Sequence, residues 1–319
     1  MVFLGKMLTA VFAWGAYVVL RLAGWKHKTV LANAKHVAGA FPKAVPGDSP
    51  DASFATPDAA PVRYDELLFN LTRHVGELLF CFKTFKKLPS DFTAYPCCVD
   101  GWTFDIDEGS APVLEKMRNG GIFLTAHYGN YEALGPWLCC LGIPLVASYI
   151  PVKPKWLNNI LERKIRAVNG KSYSVDARTP RDFLRILNDG KLFCLLADQD
   201  SRIPSALPGT FLGRPANINP LPDFLLKHRP QTPVFICWME EVCGVRVLHA
   251  IEVKCAHSMN PAQSNVACPA HLAQFSLSIV NNQFNKWLEQ RILENPNLWY
   301  GFTHRRFYSR EPKIYEGKT

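Results

Sequence analysis

GGIFLTAHYGNYEALGPWL, residues 120–138, sets a short apolar run directly before a histidine, a glycine and a second apolar segment. The run IFLTA (122–126) is too short for an ordinary helix and shows no in–out alternation. A strand covered on both faces reads this way. PLVASYI (144–150), LFCLLA (192–197) and PVFICWM (233–239) have the same character. The segments between them suit helices. WLNNILERKIRAV (156–168) carries Leu157, Ile160, Leu161, Ile165 and Val168 on one face, and PRDFLRILNDG (180–190) opens on proline and closes on glycine. Short buried strands alternating with helices predict an α/β domain whose central sheet is mixed, mostly parallel and flanked by helices. VRVLHAIEV (245–253) follows PVFICWM across EEVCG, which predicts an antiparallel hairpin at one end of that sheet. A long amphipathic stretch then runs from about Pro269 to Glu294 and is closed by Pro296.

The chain has 319 residues, 48% of them hydrophobic and 12% aromatic, so it has enough apolar mass for a sizeable core and is not disordered as a whole. Lys and Arg number 36 against 27 Asp and Glu, a net charge of +9. Such a surface favours anionic partners, or serves solubility alone. No Lys/Arg block or zinc-finger spacing is present, so nucleic acid is not an expected partner; anionic lipid and acidic protein are. The ten cysteines include no CxxC and several sit inside apolar runs. They read as buried thiols in a reducing compartment, and no metal site is expected.

LTAVFAWGAYVVL (8–20) is uncharged and apolar, with Lys6 before it and Arg21, Lys26 and Lys28 after it. It falls short of the ~20 residues that span hydrocarbon, unless Lys6 and Arg21 snorkel. Residues 1–28 therefore read as a hydrophobic membrane-anchoring helix or a shallow interfacial one, with a cleaved signal or an internal core helix as alternatives. AGAFPKAVPGDSPDASFATPDAAPV (38–62) is rich in Ala, Pro, Ser and Asp without periodicity and reads as a linker. The folded domain is expected over 63–319. It opens on a helix over 64–87, from the spacing of Leu67, Leu68, Leu71, Val75, Leu78, Leu79 and Phe82.

Functional groups in α/β sheets gather at the carboxyl ends of strands. His127 leaves the first buried strand, and Asn130 is placed to cap the helix that follows. Glu132 in its first turn can fold back towards the imidazole, fix its tautomer and leave the other nitrogen as a general base. The same residues also suit a strand end and a capped helix with no chemistry. Asp198, Gln199 and Asp200 follow a second apolar run in LLADQDSR (195–202), where polar groups line a site or cap an element. IPSALPGTFLGRPANINPLP (203–222) reads as a long loop that closes over an acyl chain or faces lipid. Arg305, Arg306 and Arg310 stand among aromatics in NPNLWYGFTHRRFYSREPK (295–313), which suits phosphate or carboxylate recognition. No GxSxG, Walker A, GxGxxG after a strand or HExxH occurs, so a serine hydrolase, nucleotide enzyme or zinc protease has no support.

TAHYGNYEALG (125–135), LLADQD (195–200) with TFLGRPA (210–216), and NPNLWYGFTHRRF (295–307), in this order and spacing, resemble the bacterial lipid A biosynthesis acyltransferases, the lauroyl and myristoyl transferases of lipopolysaccharide assembly. The resemblance covers most of residues 110–310. It implies a glycerolipid-acyltransferase-like fold at the bacterial inner membrane, with the active domain on the cytoplasmic face. The implied reaction moves an acyl chain from acyl carrier protein, or a related thioester, to a hydroxyl of a lipid A precursor, without an acyl-enzyme. No cofactor is implied beyond the thioester co-substrate. Carried over by position, His127 is the base and Glu132 its partner. Asn130, Asp198, Gln199 and Arg202 line the substrate site, and Arg305 or Arg306 meets the anionic headgroup. Tyr128 and Tyr131 stand where the family usually has Phe and Trp, and SRIPSALPG (201–209) replaces a short glycine turn. Family relatives act on other glycolipids, including mannosylated phosphatidylinositol, so the acceptor stays open. A non-catalytic lipid-binding scaffold and a thioesterase-like hydrolase are the alternatives from other classes.

Overall fold

The computed structural model describes residues 2–41, 62–149, 151, 153–253 and 270–316. Helix α1 (Val2–Leu22) leads through a turn to α2 (His27–Val37), and α3 (Tyr64–Phe80) opens the main body. Strands β1 (Cys97–Val99) and β2 (Trp102–Ile106) precede α4 (Ala111–Met117), β3 (Gly121–Thr125), α5 (Leu134–Cys140) and β4 (Leu145–Ser148). There follow α6 (Lys155–Ile160), the two-residue strands β5 (Ala167–Val168), β6 (Lys171–Ser172) and β7 (Ser174–Val175), then α7 (Pro180–Asn188) and β8 (Leu192–Leu196). The hairpin β9 (Leu207–Phe211) and β10 (Arg214–Ile218), helix α8 (Leu221–His228), strands β11 (Val234–Val242) and β12 (Val245–Glu252), and helix α9 (Ala270–Glu294) complete the order.

Eight strands form one sheet in the order β1-β2-β12-β11-β3-β8-β4-β7. The pairs from β11 through β3, β8 and β4 to β7 are parallel, whereas β11–β12 and β1–β2 are antiparallel. The mixed, mostly parallel sheet flanked by helices is thus present. The expected hairpin β11–β12 is present too, but it is not at the edge. Strand β2 pairs in parallel with β12 and carries β1 outside it.

The apolar runs are continuous because both faces are covered. Ile122, Leu124, Phe193, Leu195, Val234 and Ile236 face one core, with α2, α3, α7, α8 and α9. Phe123, Leu192, Cys194, Phe235 and Cys237 alternate to the other, with α4 and α5. Gly121 starts β3 at φ +137°, and a Cβ there would stand 2.7 Å from the Pro233 carbonyl oxygen. Gly121→Ala is expected to cost about 1–3 kcal/mol, read as a lowered midpoint in urea unfolding.

Several local expectations give way. The helix expected over 156–168 is α6 followed by a π-helical turn (Leu161–Ile165), after which Val168 is in a strand. The helix expected to reach 87 stops at Phe80, and Thr84–Lys86 is a 3-10 turn. The loop expected over 203–222 is a hairpin whose turn, Leu212-Gly213, has positive φ at both residues. Its tip docks on α9: Phe211 and Leu212 are buried, and the Leu212 N–H donates to Glu289 Oε1 at 2.6 Å. Of the linker-like segment 38–62, Ala38–Ala40 forms a 3-10 turn after α2, and residues 42–61 lie outside the described residues.

Helix α1 is long and apolar enough to cross a membrane, by length and composition. Helix α2, by contrast, is part of the core through Val30, Ala34 and Val37.

Candidate active site

The register of two neighbouring parallel strands builds the site. Thr125, the last residue of β3, pairs with Leu196, the last of β8. The Ala197 N–H then donates to the Thr125 carbonyl at 3.1 Å. Two residues past that last pair, each strand delivers a polar side chain, His127 from one and Asp198 from the other.

Asp198 grips His127 twice. The His127 backbone N–H donates to Oδ2 at 3.1 Å, and the ring Nδ1 lies 2.8 Å from Oδ1. A third donor, the Trp299 indole N–H, reaches Oδ2 at 2.9 Å. The segment that carries Trp299 is itself tied to the strand exit. Gly129 N–H donates to the Leu298 carbonyl at 2.9 Å, and Tyr300 N–H to the His127 carbonyl at 2.8 Å. The three stretches singled out in the sequence therefore meet around one carboxylate.

Asp198 is 1% exposed. Burial pushes its carboxyl up, but the charge of His127 and the hydrogen bonds from His127 and Trp299 outweigh burial and hold it at about 2. An ionised carboxylate only accepts, so Nδ1 carries the proton of the shared bond and Nε2 keeps the lone pair. Burial works on His127 in the other direction, towards lower values. The charge and hydrogen bond of Asp198, with the charge of Glu132, prevail and raise it above the ordinary histidine value. The ring remains about one-fifth exposed, at 20%. Tyr131 meets it edge-on with centroids 4.9 Å apart, and the Gln199 side-chain nitrogen stands 3.5 Å from Nε2.

No protein-family model matches the sequence, and no curated protein matches it either.

The other expected site residues divide sharply. Glu132 does not hold the imidazole. It forms a two-pronged pair with Arg166, at 2.6 and 3.3 Å, and reaches His127 only through its field. The 3-10 turn Tyr131–Ala133 turns it towards the residues after α6, while Asp198 takes the ring position. Asn130 makes no capping bond. It is buried, and its amide donates to Glu77 Oε2 at 2.6 Å, away from the imidazole. Arg306, expected against a headgroup, is 1% exposed. It lies over the Phe211 ring at 4.8 Å and donates to the Asn217 carbonyl at 2.9 Å. Burial lowers its pKa to about 10 against the pull of Asp198 and Asp200, so it is a counter-charge beneath the site. Arg202 and Arg305 are exposed. Both stand over the Tyr308 ring, at 5.0 and 5.5 Å, and Arg202 Nε is 3.5 Å from Asp200 Oδ2. Asp200 also accepts from Ser309 Oγ at 2.8 Å, a second tie between the β8 exit and the C-terminal segment.

Arg166 and the Trp299 indole are the members that sequence reasoning missed. Trp299 was visible as an aromatic in the third stretch, with nothing to mark it as a donor to a carboxylate. The dyad itself had a signal in the paired ends TAH and LAD: two buried runs, each closing on alanine and then a polar residue.

Proposed function

We propose that the chain is an acyltransferase that moves a fatty acyl group from a thioester to a hydroxyl of a glycolipid. The donor is acyl carrier protein and the acceptor a lipid A precursor, at the cytoplasmic face of a bacterial inner membrane. The observation that carries the chemistry is the His127–Asp198 pair at two adjacent strand ends, with Asp198 buried and ionised and Nε2 left as the base. The choice of substrates is supported by the resemblance, whose three segments are the ones that converge on Asp198.

In this mechanism Nε2 takes the proton of the acceptor hydroxyl as its oxygen attacks the thioester carbonyl carbon. Asp198 stabilises the imidazolium that forms. The tetrahedral intermediate collapses with cleavage of the C–S bond, and the proton on Nε2 passes to the leaving thiolate. No acyl-enzyme is needed. The oxyanion requires fixed donors. The N–H groups of Tyr128 and Gly129 are spent on Ala126 and Leu298 carbonyls, which narrows the expected donors of the turn to the amides of 130 and 131.

The test is acyl transfer from acyl carrier protein to a lipid A precursor. His127→Ala is expected to lower turnover by about 10²–10⁴-fold, the usual worth of a general base. Free fatty acid released at a rate indifferent to added glycolipid would instead establish a hydrolase. Lipid binding with no turnover would leave a scaffold. Glu132→Gln is expected to lose less than about tenfold, because it removes a field and an Arg166 partner but not the hydrogen bond to the ring. A loss matching that of His127→Ala would restore Glu132 to the centre of the mechanism.

A further inference from the structure

Helix α1 has two unlike sides. Leu4, Leu8, Val11, Trp14, Val18 and Leu22 recur at three- and four-residue spacing, and all are exposed. They form an apolar ridge exposed to solvent, with Trp14 at its edge. The opposite side is fastened antiparallel to α3 from end to end. Thr9 Oγ1 is 3.5 Å from Cys81 Sγ and the Phe12 and Phe80 rings are 5.8 Å apart, while at the boundary with the ridge the Trp14 and Phe69 rings are 5.0 Å apart. Arg21 closes the far end on Asp65. Gly76 admits α1 closely, since a Cβ there would stand 3.2 Å from Thr9 and Phe12.

That seam decides how the ridge meets a membrane. Helix α3 belongs to the domain, with Leu67 and Leu68 in the core. If α1 crossed the bilayer along its axis, α3 would cross with it. So would a charged cleft of about 360 Å³ lined by Lys6, Arg73, Glu77, Glu241 and Arg246 beside Thr9, Ala13 and Trp14. Charged residues at bilayer depth are costly even on the mildest insertion scale. A helix lying flat immerses the ridge alone, about 5–10 Å deep.

Beyond Leu22 the chain turns into a second cleft, of about 820 Å³. Lys26, His27, Lys28, Lys35, Arg305 and Tyr315 are among its walls, and no acidic side chain among the described residues lines it. The exposed ridge therefore ends at a concave basic surface, which suits anionic headgroups.

We propose that α1 is an in-plane anchor. Its Leu4–Leu22 ridge is embedded at the headgroup–acyl boundary of an anionic bilayer, and Lys26, Lys28, Lys35 and Arg305 hold the lipid phosphates. The proposal stands apart from the acyl-transfer reading, because its readouts need no turnover.

The test uses the full chain with vesicles of phosphatidylcholine alone or mixed with phosphatidylglycerol. The contribution of Trp14, taken as the difference from Trp14→Phe, is quenched by phosphatidylcholines brominated at either the 6,7 or the 11,12 positions. Stronger quenching from the shallow position is expected. Stronger quenching from the deep position establishes a spanning helix, and no quenching at either depth removes the ridge from the membrane; both overturn the proposal. Lys26→Ala with Lys28→Ala is expected to weaken flotation on phosphatidylglycerol vesicles by roughly tenfold or more at low salt. Equal binding to both vesicle types, or binding indifferent to the two lysines, overturns the role of the cleft.

Discussion

Asp198→Asn is expected to lower kcat/KM for acyl transfer by about 10²–10⁴-fold, although the substitution changes one atom's identity and almost no volume. The size of the effect follows from the two donors that fix the side chain. His127 N–H and Trp299 Nε1–H both point at Oδ2. The asparagine oxygen must occupy that position to receive them, which turns the amide NH₂ towards the imidazole. Nδ1 then has to accept, and the ring proton moves to Nε2. The nitrogen that should take the acceptor proton is already protonated. The second loss is electrostatic, since no anion remains beside the imidazolium. Circular dichroism should show the fold retained. Activity near wild type in Asp198→Asn would remove the dyad from the mechanism.

The pH profile gives an independent reading of the same pair. The base acts when neutral, and its pKa is raised by Asp198 and Glu132 over the opposing effect of burial. The limb on which kcat/KM rises with pH should therefore have its midpoint above the ordinary histidine value of about 6.5. The linkage to stability has the opposite sense. His127, with its folded pKa raised, stabilises fully below its unfolded value and loses that contribution as pH rises through the folded one. Asp198, held down at about 2, stabilises above its unfolded value and loses that contribution as pH falls towards about 2. The pair holds the fold most firmly between about 4 and 6.5, and in the proposed mechanism it acts as the base above that window.

Much of this arrangement is legible in the sequence because it depends on local signals. Runs such as IFLTA and LFCLLA read as doubly covered strands, and α7 is marked by Thr179 and Asp182, which close a capping box around Pro180. The choice of carboxylate is a long-range fact. Proximity in sequence favours Glu132, five residues from His127, whereas Asp198 reaches the ring only because β8 lies beside β3 in a fixed register. Asn130 is similar, a local capping signal overridden by Glu77 from a distant helix. Arg306 sits in a run of basic and aromatic residues that gives no hint which member turns inward. The turn at Leu212 was hidden because leucine seldom adopts positive φ. The edge strand β1 is three residues long, with no apolar run to announce it.

Glu77→Ala is expected to cost about 3–5 kcal/mol, a large share of the roughly 5–15 kcal/mol that holds a domain folded. Glu77 is buried and accepts from Arg246 Nη2 at 2.9 Å and from Asn130 Nδ2 at 2.6 Å, with Arg73 Nη1 3.5 Å away. Arg246 stands over the Trp102 ring at 3.3 Å, also buried. Burial is the largest influence on both partners, raising the Glu77 carboxyl and lowering the Arg246 guanidinium in spite of their attraction. Removing Glu77 leaves the buried Arg246 guanidinium with only Glu241, 3.7 Å away, as a counter-charge. Replacing both, Glu77→Leu with Arg246→Met, should recover most of the loss, to within about 1–2 kcal/mol of the wild type in urea unfolding, the remainder being the orphaned Asn130 amide. Activity should not recover in parallel. Asn130 belongs to the turn after His127, and Glu77 is what holds it. A double variant that regained both stability and full turnover would show that this turn needs no anchor from Glu77.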